Sequence, residues 1–93
     1  MKTKYIRFWF DFEVESGLDY PPGIEIGCGV TATDYEDAIS LMKNRIFKKG
    51  DMPPIKKVNE EINIRTLDQH HVIPYMLSPH TRGIWFPAGY ESD

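Results

Sequence analysis

The chain has 93 residues, of which 41% are hydrophobic and 13% aromatic, and a formal net charge of −3. That length suits one domain, here taken as 1–93, and so many rings argue against a disordered chain. Net negative charge disfavours nucleic acid phosphates. The lone cysteine, Cys28, excludes an internal disulfide and a cysteine-rich zinc site, and no apolar run reaches membrane-spanning length. These features predict a soluble cytoplasmic protein with no cofactor, no nucleic acid partner and no membrane partner.

The charge is unevenly placed. Between Lys43 and Lys57 lie six bases (Lys43, Arg45, Lys48, Lys49, Lys56, Lys57) and one acid, Asp51. This run is expected to cover a helix end and the loop after it, where cations complement the helix dipole.

Residues 5–14 alternate strictly, with Ile6, Phe8, Phe10, Phe12 and Val14 on one side and Tyr5, Arg7, Trp9, Asp11 and Glu13 on the other. Period two with aromatic enrichment predicts a strand. Pro21-Pro22 must interrupt the ladder, because proline has no amide donor. A second alternating run, 24–32, then places Ile24, Ile26, Cys28, Val30 and Ala32 on one side. Together the two runs form a hairpin closed over residues 15–23. In that hairpin Trp9 falls opposite or diagonal to Gly27 and Gly29, so its indole can lie across the glycines.

Thr33 followed by Glu36 predicts a capping box, with Asp34 and Asp37 adding negative charge at the positive end of a helix. Tyr35, Ala38, Ile39, Met42 and Ile46 recur at helical spacing as one apolar stripe. Lys48-Lys49-Gly50 reads as its stop. Further on, a polar strand is expected over 61–65, a short helical turn from Thr66 ended by Pro74, a turn at Ser78-Pro79, and a last strand over 83–86. The order β-β-α-β-turn-β predicts an α+β two-layer sandwich, with one main helix on a small, mostly antiparallel sheet.

No catalytic constellation emerges. His70, His71 and His80 with Asp68 invite a metal reading, but adjacent histidines diverge on a strand or helix and seldom chelate together, so no metal site is expected. Cys28 shares its parity with Ile26 and Val30, which predicts burial and an inert thiol. The glycines at 23, 27 and 29 match neither a phosphate loop nor a dinucleotide fingerprint. Arg82-Gly83 resembles the opening of an RNA-recognition signature, but Ile84, Trp85 and Pro87 depart from it.

A one-helix sandwich leaves one sheet face without a helix, to be solvated, dimerised or docked. Tyr5, Arg7, Trp9 and Asp11 share that face, and Tyr, Trp and Arg are the types enriched at binding hot spots. The leading expectation is a small non-catalytic protein-binding module, of the kind of a bacterial inhibitor, immunity or accessory protein. Its acidity would steer it to a basic partner. Two alternatives stand beside it: a homodimer joined through the same face, and a small enzyme or ligand-binding domain built on a loop site of His70, His71, Tyr75, His80 and Arg82, where histidine suits acid–base work.

Overall fold

The computed structural model describes residues 4–14, 20, 23–48 and 52–90. Alternation in the first run produces strand β1, Ile6–Phe12, one of the two inner strands of the sheet. It pairs antiparallel with β2, Cys28–Ala32, on one side and with β3, Ile55–Glu60, on the other. Strand β4, Gly83–Phe86, pairs antiparallel with β2, which gives the order β3-β1-β2-β4. Among the described residues a single α-helix, α1, Tyr35–Arg45, packs against β2 and β4. The molecule is an α+β sandwich of the predicted class.

Helix α1 begins one residue later than its capping box suggests. Asp34, not Thr33, is the N-cap, and its Oδ1 accepts from the Asp37 amide at 2.8 Å. Asp37 reaches back to accept from the Thr33 amide at 3.0 Å and its hydroxyl at 3.2 Å. Aspartate competes well with threonine at this position because its carboxylate also meets the positive end of the helix dipole. At the other end, the amides of Ile46 and Phe47 both donate to the Met42 carbonyl. The Lys49-Gly50 stop lies outside the described residues, as do 15–19 and Pro21-Pro22 of the first connection.

Two apolar clusters occupy the two faces of the sheet. On the helix side, Phe8, Phe10 and Phe12 pack with Ile24, Cys28, Val30, Ala38, Leu41 and Met42. Tyr35 closes the edge of this core, its ring 5.9 Å from that of Phe10. Burial of a phenylalanine of this kind is worth about 3–5 kcal/mol against alanine.

The opposite face is not open, contrary to the sequence expectation. Residues 61–79 cross it as irregular chain with two 3-10 turns, Ile64–Thr66 and Ile73–Tyr75. Leu67 and Val72 are buried there against Trp9, Trp85 and Phe86, with Ile62, Ile64, Ile73 and Met76 packed around them. The third strand is therefore earlier than predicted: Glu61 has φ 56°, which ends the ladder, and Ile62 and Ile64 belong to the cover. Pro74 does not end a helical turn but sits inside one.

Similarly, the second strand is shorter than its alternation implies. Residues 23–26 form a turn in which the Ile26 amide donates to the Gly23 carbonyl at 3.1 Å. Ile24 is buried by that turn and Ile26 is exposed, so the two do not share a face.

Both tryptophans stand where side chains are missing. Gly27 has φ 142°, and a Cβ there would overlap the indole of Trp9; a Cβ on Gly29 would overlap the ring of Trp85. The predicted glycine platform is thus divided between two tryptophans. A bulge brings the second one in: Gly29 pairs with Phe86 and Val30 with Ile84, leaving Trp85 as the extra residue of β4. The bulge lets Trp85 and Phe86 join the same cluster, since the extra residue interrupts strict alternation.

Candidate functional site

The hairpin residues nominated from sequence separate in their surroundings. Tyr5 is exposed, Arg7 and Asp11 are half-buried, and Trp9 is only 6% exposed. The Trp9 indole N–H donates to Asp11 Oδ1 at 3.1 Å, and its ring lies 5.6 Å from Phe86 and 5.9 Å from Trp85. Trp9 therefore works as a core residue of the outer cluster in this conformation. Its burial follows from the cover, whose first hydrogen bond runs from the Ile62 amide to the Arg7 carbonyl at 3.0 Å.

What was hidden beneath the cover is replaced by what the cover displays. Tyr75 is 64% exposed, the highest value of any large hydrophobic side chain described, and Leu77 is 39% exposed. Both project from backbone that is held firmly. Leu77 donates its amide to the Trp85 carbonyl at 2.8 Å, along the outer edge of β4, and the Tyr75 amide donates to the Val72 carbonyl at 3.0 Å. Beneath them Val72 anchors the turn into the tryptophan cluster.

The histidines hold different posts on the same segment. Asp68 is a local organiser: its Oδ1 accepts from the amides of His70 and His71, at 2.8 and 3.0 Å, and its Oδ2 lies 3.1 Å from His71 Nδ1. Those hydrogen bonds hold the Asp68 carboxyl down at about 2, the His70 amide being the largest cause. His80 donates its amide to Ser78 Oγ at 3.3 Å. Among the described residues no group of three or more His, Cys, Asp or Glu could hold a metal ion. Cys28 is fully buried, which pushes its thiol well above the ordinary range and keeps it protonated.

Arg82 serves a different partner from the histidines. Its Nε donates to Asp37 Oδ2 at 2.9 Å and its terminal nitrogen to Asp37 Oδ1, a two-point pairing that joins the start of β4 to the first turn of α1. The guanidinium, together with the Thr33 donors, holds the Asp37 carboxyl well below the usual carboxylate range.

Beside this pair lies a cleft of about 280 Å³, lined by Arg45, Leu77, Ser78, Thr81, Arg82 and Gly83 with the adjoining Ile84. The loop that supplies Ser78 and Thr81 is tied to β2 by the Thr31 hydroxyl, which donates to the Pro79 carbonyl at 2.6 Å. Arg45 comes in from the end of the helix over a glycine: a Cβ at Gly83, where φ is 140°, would sit 3.1 Å from its guanidinium. Asp37, Arg45, Leu77, Ser78 and Thr81 were not among the residues nominated from sequence. Asp37 and Arg82 are 45 positions apart, and no local pattern announces their meeting.

No family model, no curated protein and no solved structure matches this chain. Among the described residues, no helix is long and apolar enough to cross a membrane.

Proposed function

We propose that this protein is a small non-catalytic protein-recognition module, of the inhibitor or accessory type, and that it contacts its partner through the cover rather than through the hairpin. The observation that carries this reading is the 64% exposure of Tyr75 on a turn anchored into the tryptophan cluster. An exposed tyrosine on fixed backbone loses little conformational freedom on binding, which is why tyrosine is enriched among energetic hot spots. Leu77 adds apolar area beside it, and the net charge of −3 favours a basic partner. A single buried, unoxidised thiol suits a reducing compartment such as the cytoplasm.

The test is recovery of a stoichiometric partner from the native host, followed by binding measurements with that partner purified. Tyr75→Ser is expected to weaken binding by at least tenfold, or about 1.4 kcal/mol, and Ile26→Ser, at the far turn, to leave it unchanged. Equal binding by wild type and the Tyr75→Ser, Leu77→Ser double variant would refute the reading.

A further inference from the structure

We infer that residues 63–76, the middle of the cover, form a strap that lifts from the outer sheet face as one unit while the sheet and α1 stay folded. This goes beyond the protein-recognition reading and does not depend on it.

Hydrogen bonding is the first reason. Among the described residues, every hydrogen bond made by 63–76 closes within that segment. Asn63 accepts from the amides of Arg65 and Thr66, and Leu67 donates to the Ile64 carbonyl. The Asp68 carbonyl accepts from the amides of Val72 and Ile73, at 3.1 and 3.0 Å, while its carboxylate holds those of His70 and His71. Ties to the sheet stand outside these limits: Ile62 donates to Arg7, Leu77 donates to Trp85, and Pro79 accepts from Thr31. The strap can therefore leave the sheet with its own turns intact and both ends still tied.

The second reason is how its middle is held. Between the two ties the strap has apolar seats alone, with Leu67 and Val72 buried against Trp9, Trp85 and Phe86. None of these five residues belongs to the helix-side core, which alternation along β1 places across the sheet. Lifting the strap thus opens one cluster and leaves the other packed, the condition for opening at less free energy than global unfolding.

A third observation lies beneath the strap. Trp85 is 1% exposed, and no described residue accepts from its Nε1–H. A buried donor without an acceptor destabilises the closed form, and water satisfies it once the outer face opens. The two forms present different surfaces: Tyr75 on its seated turn when closed, the rings of Trp9, Trp85 and Phe86 when open.

Native-state hydrogen exchange of the full chain, followed by NMR in urea below the unfolding transition, provides the test. The amides of Leu67, Val72, Ile73 and Tyr75 and the Trp85 indole proton are expected to share one urea-dependent curve. They should exchange at least about a hundredfold faster than the amides of the inner strands β1 and β2. Val72→Ala, which weakens the seat, is expected to speed the strap amides about tenfold or more. Ile46→Val, a mild change in the helix-side core, should speed the inner-strand amides about fivefold and leave the strap amides unchanged, because the lifted form keeps that core. Equal acceleration of strap and inner strands by Ile46→Val would show that the strap opens only on global unfolding, and would overturn the inference. So would strap exchange that is independent of urea, which marks fraying residue by residue, or strap amides unmoved by Val72→Ala. No partner enters these measurements, so the strap and the recognition reading fail separately.

Discussion

Asp37 ties the first turn of α1 to the start of β4: its carboxylate accepts from Thr33, four positions earlier, and from Arg82, 45 positions away. Asp37→Asn removes the charge but keeps the shape. The expected loss is about 1–2 kcal/mol, from the weaker bonds to Thr33, the lost negative charge in the first helical turn and the ion pair. Arg82→Gln should cost less, under about 1 kcal/mol, because the arginine side chain is 43% exposed and solvent screens it. Urea denaturation of the two single variants and the double variant measures the coupling.

The same carboxylate sets an acid response. Its pKa is depressed on folding, so its contribution is complete above the unfolded value of about 4 and is lost as pH falls through the folded one. Wild type is therefore expected to lose its advantage over Asp37→Asn on going from pH 7 towards pH 2, the two denaturation midpoints approaching each other. A constant difference across that range would show that the ion pair contributes nothing on folding.

Gly29→Ala is expected to destabilise by about 2–3 kcal/mol, since a single methyl group would displace a buried indole. Combining it with Trp85→Leu should restore part of the loss, because the smaller side chain vacates the space the methyl needs. Sub-additive effects in thermal unfolding check this, and simple additivity would show that the contact is not the cause.

Cys28 is expected to stay unlabelled by a thiol reagent in the native protein and to react at the rate of unfolding in urea. Its raised pKa also makes stability fall as pH rises beyond the unfolded thiol value of about 8.5, because only the unfolded chain then releases the proton. Cys28→Ala should flatten that alkaline decline.

Much of the helix side was legible from sequence. Phe8, Phe10 and Phe12 alternate without interruption, and the stripe from Tyr35 to Ile46 has helical spacing, so two faces that must meet announce themselves. The outer side was not. Leu67 and Val72, buried, and Ile62, Ile64, Ile73 and Met76, partly buried around them, pack from irregular backbone, and irregular backbone has no period to detect. Their aliphatic spacing near 62–64 imitated a strand, while in the true strand, Ile55–Glu60, four of the six residues are lysine, asparagine or glutamate because it lies at a sheet edge. Arg82 was nominated for a histidine site and instead faces Asp37, since the fold, and not proximity along the chain, chooses its partner.

Both of the chain's tryptophans belong to the outer cluster, their rings 5.9 Å apart, and the helix-side core contains none. Intrinsic fluorescence of this protein is therefore a local gauge, blind to the phenylalanine core and sensitive to whether the cover is seated. Circular dichroism in the far ultraviolet, by contrast, follows α1 and the strands. Recorded on one sample, the two signals make the cover's attachment visible as a separate event, with no label introduced.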